Sequence, residues 1–259
     1  MEYDVRGTRV HYVEHGQGRP VLVLHGAGVD HREAVAAFDP ALARHGGLRR
    51  LYPDLPGSGL TQTAETVSSA EDVLDVLTAL VDEVVGDRPL LLVGHSAGAY
   101  YAHALADRAP RRVAGLVLVC PLLPCTHDVP PHEPVVADDD LGDAGFRSYF
   151  VVQTPAMLAR YREVVAPGIA AVDASTAERL GARWELAPSK DPYAGLVLVV
   201  AGRQDSTVGY AAAVDLLGRY PRATLVVADG AGHALPHEAP SVLGGVLDGW
   251  LTDAVEHHG

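Results

Sequence analysis

The stretch "LLLVGHSAGAY" at residues 90–100 constrains the fold of this chain more than any other part of its sequence. Its four leading aliphatic residues predict a short strand buried on both faces, as is typical of a central strand in a parallel sheet. Gly94, Ser96 and Gly98 then form a G-x-S-x-G pattern before a helical stretch. In this context the pattern predicts a sharp strand-to-helix turn that holds the Ser96 hydroxyl above the sheet edge. The alternative is a serine that only caps the following helix.

Strands and helices alternate on both sides of this stretch. Alternating polar and apolar residues around Arg6 and Gly7 predict an N-terminal β-hairpin. Further strands are predicted in "PVLVL", "LRRLYP", "PLLLVG", "VAGLVLVC", "AGLVLVV" and "ATLVVA", and helices in "SSAEDVLDVLTALVDEVVG", "AGAYYAHALADRAP", "YAAAVDLLGRY" and "SVLGGVLDGWLTDAV". Ser68 with Glu71 predicts a capping box for the first of these helices. The alternation predicts an α/β fold with a mostly parallel central sheet and helices on both faces.

The pattern changes after Cys120. Residues 121–192 contain no aliphatic strand, and prolines and acidic residues cluster in "DVPPHEPVVADDDLGDAG". Two helices are predicted there, in "PAMLARYREVV" and "ASTAERLGARWELA". We interpret residues 121–192 as a helical cap inserted into one core domain, which consists of residues 1–120 and 193–259.

A serine hydroxyl is a weak nucleophile, so Ser96 needs a general base and an acid that orients it. His233 is the predicted base, because it follows the last predicted strand in the glycine-rich segment "GAGH". His237 is the alternative, but it lies toward the next helix, and Glu238 is interpreted as a feature of the start of that helix. His95 is assigned to packing or local hydrogen bonding, since neighbouring side chains in a sharp turn point apart.

Asp205 is the predicted acid. It follows a predicted strand in the segment "GRQD" and lies between Ser96 and His233 in the sequence. Asp191 precedes that strand and would lie at its wrong end. Asp229 is close to His233 in sequence, but we expect it to remain at the strand terminus.

Acyl transfer also needs N–H donors for the oxyanion of the tetrahedral intermediate. Ala97 follows Ser96 and is expected to supply one donor at the start of its helix. The segment "HGAG" at residues 25–28 is expected to supply the other from Ala27, because Gly26 and Gly28 leave the backbone open. The alternative for this segment is an ordinary glycine-rich turn between a strand and a helix.

The charge of the chain argues against several partners. A formal net charge of −13 disfavours nucleic acids and anionic membranes, which attract clustered Lys and Arg. No apolar run reaches the roughly 18 residues of a membrane helix, and the polar N-terminus lacks the apolar centre of a signal peptide. We therefore expect a cytoplasmic protein with Cys120 and Cys125 reduced, although these two could close a small disulfide loop.

The sequence also argues against cofactors and metals. Its glycine-rich segments match neither G-x-G-x-x-G nor a P-loop, which disfavours nucleotide binding. His127, Asp128, His132 and Glu133 lack the spacing of a helical H-E-x-x-H site and lie among prolines, so we interpret them as part of a surface loop. We predict neither a metal nor a cofactor.

With these residues placed, the chain resembles the α/β-hydrolase superfamily over essentially its whole length. The motifs that carry the resemblance are, in order, "HGAG", "DLPGSG", "GHSAG", "GRQD" and "GAGH". The resemblance implies the α/β-hydrolase fold, a hydrolase without cofactor, and a variable lid that sets specificity. It also implies that Ser96, Asp205 and His233 form a catalytic triad.

Differences between this sequence and the motifs of individual branches of the superfamily narrow the range of predicted functions. Haloalkane dehalogenases and epoxide hydrolases use an Asp nucleophile, which Ser96 argues against. "HGAGVDHREAVAAFDPAL" is similar to the proline-iminopeptidase-like branch, but that branch usually has HGGPG, D-Q-R-G and G-G-S-W-G, so aminopeptidase activity is disfavoured. C–C hydrolases of the meta-cleavage type typically carry an Asn after the HG motif, and this sequence contains no Asn.

These observations predict a serine hydrolase that cleaves a small or medium, mostly apolar ester, lactone or thioester through an acyl-enzyme. A C–C hydrolase, an aminopeptidase and a ligand receptor of the same fold with little turnover remain as alternatives, and the protein is expected to be a monomer or a homodimer. The candidate substrate contacts in the cap are Phe150, Met157, Leu158, Tyr161 and Trp184. Amphipathic cap helices would place such residues against the core in any case.

Overall fold

The computed structural model describes residues 1–189 and 192–256. The described residues form eight strands: β1 (Glu2–Val5), β2 (Thr8–His15), β3 (Arg19–Leu24), β4 (Leu48–Pro53), β5 (Leu90–His95), β6 (Val113–Val119), β7 (Val197–Gly202) and β8 (Ala223–Ala228). They form one sheet in the order β1-β2-β4-β3-β5-β6-β7-β8. Strand β2 is antiparallel to both β1 and β4. The six strands that follow β2 in the sheet, β4-β3-β5-β6-β7-β8, are parallel to one another. The predicted hairpin and mostly parallel sheet are confirmed.

Helices cover both faces of this sheet, and four further helices lie in the segment at residues 121–192. Their bounds are α1 (His31–Leu42), α2 (Ala70–Val85), α3 (Ala97–Arg108), α4 (Ala144–Tyr149), α5 (Pro155–Arg160), α6 (Ala166–Ala170), α7 (Ala174–Gly181), α8 (Ala211–Arg219), α9 (Leu235–Glu238) and α10 (Pro240–Glu256). Side chains of β5 alternate between the faces: Leu90 and Leu92 pack with α2, α3 and α8, whereas Leu91 and Val93 pack with α1 and α10. Burial on both faces explains why β5 is apolar at every position before Gly94.

Two details of the core helices differ from the predictions. The cap of α2 is Ser69 rather than Ser68: its backbone is extended, and its side chain accepts a hydrogen bond from Asp72 N. The Asp72 carboxylate in turn accepts from Ser68 N and Ser69 Oγ, so it takes the place predicted for Glu71. Helix α1 was not among the predicted elements; it is capped by Asp30 and contains Pro40 near its end.

The cap segment contains more helix than predicted toward its N-terminal end and less toward its C-terminal end. Helix α4 was not predicted, whereas the helix predicted over residues 155–165 is present and continues through a π-helical turn (Tyr161–Val165) into α6. The second predicted helix, over residues 174–187, ends at Gly181. Arg183 O accepts from Ala70 N, and Leu186 N donates to Tyr100 Oη, so contacts with the core replace helical hydrogen bonds there.

The two cysteines are free. Cys120 is buried just after β6, where it has a positive φ of 43°, and Cys125 is exposed. Within the described ranges, no helix is long and apolar enough to cross a membrane.

A buried carboxylate braces the strand edge that carries the glycine-rich loops. Asp54, directly after β4, is fully buried. Its Oδ1 accepts from His31 N and His31 Nδ1, both at 2.8 Å, and its Oδ2 accepts from His11 Nδ1 and Leu60 N, both at 2.9 Å. Burial alone would raise the pKa of Asp54, but the donors of His31 and Leu60 hold it well below its usual range. One side chain thus joins β2, α1 and the "DLPGSG" loop.

We expect Asp54→Asn to lower the free energy of unfolding by about 3–5 kcal/mol, because an amide NH₂ would face donors inside the protein. Urea denaturation at pH 7 measures this. A carboxyl whose pKa is lowered by folding stabilises the protein above its unfolded pKa near 4, and loses that effect as the pH falls through the folded value. The difference between wild type and variant should therefore shrink below about pH 4. Asp4→Asn, in an exposed ion pair with Arg9, is the control; equal stability of wild type and Asp54→Asn would contradict the brace.

Candidate active site

The turn between β5 and α3 gives Ser96 a strained backbone conformation, with φ 54° and ψ −118°. Both flanking glycines are required by close backbone contacts. A Cβ on Gly94 would lie 2.3 Å from Gly98 O, and a Cβ on Gly98 would lie 2.2 Å from Leu24 O. Ser96 N donates to Val119 O at 3.0 Å, which attaches the turn to β6. The predicted sharp turn is therefore present, with Ser96 at the start of α3.

His233 lies between Ser96 and Asp205. Its Nε2 is 2.9 Å from Ser96 Oγ, and its Nδ1 is 2.8 Å from Asp205 Oδ2. Because a carboxylate only accepts, Nδ1 carries the proton, and Nε2 is left to accept from the Ser96 hydroxyl. The His233 side chain is 20 % exposed, whereas Asp205 is fully buried. The structure brings together the three residues proposed as a triad.

The Asp205 carboxylate is held by the backbone as well as by His233. Its Oδ1 accepts from Thr207 N at 2.9 Å and from Val208 N at 3.0 Å. Burial alone would raise the pKa of Asp205, but the hydrogen bond and charge of His233 and these two amides keep it below its usual value. Asp205 therefore presents a fixed negative oxygen to His233.

The loop after β3 lies directly against the turn at Ser96. A Cβ on Gly26 would be 3.3 Å from Ser96 Cβ. Ala27 is exposed, and Gly28 has a φ of 76°, which favours glycine. Ala97 is the first residue of α3, so its N–H has no acceptor within the helix. The two amides predicted for the oxyanion hole thus lie on the two segments that border Ser96, and their role stays a prediction.

The family model described as "Alpha/beta hydrolase family" matches residues 21–243. The chain belongs to the alpha/beta hydrolase family. An alpha/beta superfamily hydrolase from Oenococcus oeni has a similar structure, with a TM-score of 0.88 at 25 % identity over 98 % of this chain and 99 % of that one. The predicted α/β-hydrolase fold is confirmed.

Curated relatives of this alpha/beta hydrolase match over only part of their own length. The biotin biosynthesis bifunctional protein BioHC of Cellvibrio japonicus is 30 % identical over an alignment that covers 87 % of this chain and 46 % of that protein. A pimeloyl-[acyl-carrier protein] methyl ester esterase of Legionella pneumophila is 33 % identical over 42 % of this chain and 40 % of that protein. The matches cover less than half the length of these curated relatives. Other distant matches are to an esterase, a 2-hydroxy-6-oxo-2,4-heptadienoate hydrolase and an epoxide hydrolase.

A carboxylate that the sequence analysis did not single out as functional connects the cap of this hydrolase to the loop that carries His233. Glu238 Oε1 accepts from Val151 N at 2.7 Å and from Val152 N at 3.2 Å, and its Oε2 accepts from Gly232 N at 2.7 Å. Burial raises the pKa of Glu238, and these three donors oppose the rise. The sequence suggested only that Glu238 belongs to the start of a helix.

We expect Glu238→Gln to lower the free energy of unfolding by about 1–3 kcal/mol, because an amide NH₂ must then face at least one backbone N–H. Loosening of Gly232 should also lower kcat, by about tenfold, through misplacement of His233. Urea denaturation and steady-state kinetics on an activated ester measure the two effects. Glu163→Gln, at an exposed position in the cap, is the matched control. A Glu238→Gln protein as stable and active as this control would contradict the connection.

His237, the alternative base, is engaged with a different partner. Its Nε2 donates to Glu33 Oε1 at 2.9 Å, and both side chains are almost completely buried. Burial alone would raise the pKa of Glu33, but the hydrogen bond from His237 lowers it to about 2. His237 and Glu33 thus form a buried polar pair, which the sequence alone did not indicate.

Two other candidates from the sequence, Asp229 and His127, lie on the surface. Asp229 is 89 % exposed beside Arg203, and Asp191 lies outside the described residues. His127 binds Asp128 and Asp215 on the surface, as expected of a surface loop.

In the part of the chain that the structure describes, two groups of side chains bring metal-ligand atoms within 4.8 Å of one another. They are His11, His31 and Asp54, and His95, Cys120 and His233. In the first group, the nitrogen-to-oxygen distances are 2.8 and 2.9 Å. These are hydrogen-bond lengths, shorter than the roughly 3.3 Å between ligands that each lie about 2.0–2.1 Å from a tetrahedral zinc ion. In the second group, both nitrogens of His233 are already engaged by Asp205 and Ser96. That no metal is required stays a prediction.

Four of the five candidate substrate contacts belong to one apolar cluster or pack against it. This cluster also contains Val29, which follows the segment at residues 25–28, and Ala234, which follows His233. The four cap residues are Phe150, Met157, Leu158 and Tyr161. Phe150 is completely buried and offers no surface to a ligand in this structure, whereas Met157 and Leu158 are half-buried.

Trp184, the fifth candidate, packs against Tyr100 with ring centroids 5.7 Å apart. Tyr100 also lines a cavity of about 630 Å³ beside α3, which is bounded by α2, α8 and residues 123–125 and 185–189. Neither Ser96 nor His233 is among the described residues that line this cavity. Trp184 therefore packs on α3 through Tyr100.

Proposed function

We propose that this alpha/beta hydrolase cleaves a small or medium, mostly apolar ester, lactone or thioester through an acyl-enzyme on Ser96. The observation that carries the proposal is the continuous line of hydrogen bonds from Asp205 through His233 to Ser96 Oγ, at 2.8 and 2.9 Å. Nucleophilic acyl transfer needs a fixed acid, a base that can accept a proton and a hydroxyl that it activates. Asp205, His233 and Ser96 have these properties in this arrangement.

In the first half-reaction, Ser96 Oγ attacks the carbonyl carbon while its proton passes to His233 Nε2. Asp205 stabilises the imidazolium that forms, and the N–H groups of Ala27 and Ala97 stabilise the oxyanion. The tetrahedral intermediate then expels the alkoxide or thiolate, which takes the proton from His233 Nε2.

In the second half-reaction, water gives a proton to His233 Nε2 as its oxygen attacks the acyl carbon. Collapse of the second intermediate breaks the bond to Ser96 Oγ, which regains the proton from His233, and the carboxylic acid leaves. Each proton that moves is carried by one nitrogen, so the hydrolase needs no other titrating side chain for the cycle.

The charge around Ser96 supports a neutral acyl group. Asp205, Glu33 and Glu238 are carboxylates with little or no exposure in this region, and His237 is already bound to Glu33. Half-buried Met157 and Leu158 offer apolar contact from the cap. An anionic acyl group at Ser96 would be repelled by the negative charge of these carboxylates.

The test combines an activity-based probe with a substrate panel. A fluorophosphonate should label the wild-type protein, and p-nitrophenyl esters from acetate to octanoate should be turned over, with esters of monoanionic dicarboxylates slower. Labelling without turnover of any ester, lactone or thioester would favour a ligand receptor of this fold. Turnover of only a vinylogous 1,5-diketone would favour C–C cleavage, and turnover of only an aminoacyl anilide would favour an aminopeptidase. Absence of labelling would contradict the role of Ser96.

A further inference from the structure

His95, which precedes Ser96, contacts the backbone of the residue proposed as the base. It is almost completely buried, and its Nε2 lies 2.9 Å from His233 O. The two imidazole rings lie with centroids 5.1 Å apart and planes inclined by 35°. The sequence predicted only packing or local hydrogen bonding for this side chain, whereas its partner is 138 residues away.

The partner of His95 fixes its tautomer. A carbonyl oxygen only accepts, so the proton of neutral His95 lies on Nε2. Its Nδ1 has no hydrogen-bond partner among the described residues, and the nearest carboxylate oxygen, Glu33 Oε1, is 3.9 Å away. Burial lowers the pKa of His95 to about 4 against the opposing charge of Glu33, so the ring is neutral at pH 7. A neutral ring adds no positive charge beside the imidazolium that His233 must become.

Contacts on both sides of His233 hold its backbone. On the N-terminal side, Gly232 N donates to Glu238, and at His233 itself the carbonyl accepts from His95. His95 also lies beside the segment at residues 25–28, since a Cβ on Gly26 would be 3.4 Å from His95 Nδ1. The His95 imidazole therefore joins the turn at Ser96 to the loop of His233 and lies beside residues 25–28.

We propose that His95 is a positioning residue, which sets the distance between His233 Nε2 and Ser96 Oγ by donating a hydrogen bond to His233 O. This inference rests on the proposed function, because it assigns His95 a part in the same acyl transfer. The required property is a donor at the position of Nε2. The ring itself and the Nδ1 lone pair are not required.

A matched pair of amides separates these properties. In His95→Gln the side-chain N–H₂ reaches the position of Nε2, whereas in His95→Asn it reaches only that of Nδ1. We expect His95→Asn to lower kcat about 100-fold on a p-nitrophenyl ester, the size of effect that a misplacement near 1 Å has, with KM changed less than about threefold. His95→Gln should keep kcat within about fivefold of wild type. Rates of fluorophosphonate labelling should follow kcat.

The outcomes separate the two proposals. Absence of labelling in wild-type protein contradicts the proposed function. Labelling of wild type and His95→Asn at equal rates contradicts the role of His95, and so does an equal loss in His95→Gln and His95→Asn when circular dichroism shows both folded. If His95→Asn does not fold, His95→Phe, which keeps a buried ring without a donor, takes its place in the comparison with His95→Gln.

Discussion

Ser96→Ala is expected to lower kcat for an activated ester by about a million-fold, to the level that transition-state binding alone provides. It should also abolish fluorophosphonate labelling. Alanine preserves the backbone of the turn, because it adopts the positive φ of Ser96 at a similar energetic cost and the close contacts lie at Gly94 and Gly98. The free energy of unfolding should therefore change by less than about 1 kcal/mol. Stopped assays with high enzyme concentration and urea denaturation measure the two quantities.

Ser148→Ala is the matched control for this variant. Ser148 lies exposed in α4 and donates only to Gly145 O, one turn earlier. We expect its activity and labelling to equal those of wild type. Retention of more than about one per cent of wild-type activity in Ser96→Ala would show that Ser96 is not the nucleophile, since alanine offers no group that attacks a carbonyl.

Asp205→Asn is expected to lower kcat by about ten-thousand-fold with a much smaller change in KM. The geometry explains the size of the effect. Thr207 N and Val208 N both donate to Oδ1, so the amide oxygen must take that position and the NH₂ group must face His233 Nδ1. The NH₂ donates to Nδ1, and the proton of a neutral imidazole is then on Nε2. In that tautomer His233 cannot accept the proton of Ser96.

The control for this variant is Asp229→Asn, at the other carboxylate that the sequence places near His233. Asp229 is exposed, and Asp229→Asn should retain wild-type kcat. If kcat of Asp205→Asn equals that of Asp229→Asn, the acid of the triad lies elsewhere.

The part of the site that the sequence predicts is local. Gly94 and Gly98 must be small because of contacts within a few residues and with the neighbouring strand, and such constraints leave a short pattern. Likewise, Asp205 and His233 each follow an apolar strand, and the C-terminal ends of parallel strands meet at one edge of a sheet. The order of these residues along the chain is therefore enough to predict that their side chains lie near Ser96.

The part that the sequence did not predict is non-local. Glu238 binds Val151, 87 residues away, and His237 binds Glu33, 204 residues away. A Glu side chain can accept backbone hydrogen bonds at the start of a helix or from a distant segment. Which of these Glu238 does depends on where residues 151 and 152 lie in the fold. The only available signal was the spacing of His237 and Glu238 after His233, which also fits the start of a helix.

In the cap, too, local features are predicted from the sequence and non-local contacts are not. The helix over residues 155–165 follows from its apolar spacing, whereas the helix predicted beyond Gly181 competes with contacts to the core. Arg183 O binds Ala70 N at the start of α2, and Leu186 N binds Tyr100 Oη. These bonds replace those of one further helical turn, and helical propensity alone does not decide between them.

The Glu238 carboxylate accepts from Val151 and Val152 in the cap and from Gly232 beside His233. Val151 also packs on Gly232 so closely that a Cβ there would lie 2.9 Å from its Cγ1. A cap that moved away from the core would thus break bonds to the same carboxylate that holds Gly232 beside His233. The position of the cap and the alignment of His233 are therefore thermodynamically linked, and the linkage is reciprocal. A ligand that stabilises the docked cap improves the alignment of His233, and a well-aligned His233 increases the affinity for that ligand by the same factor.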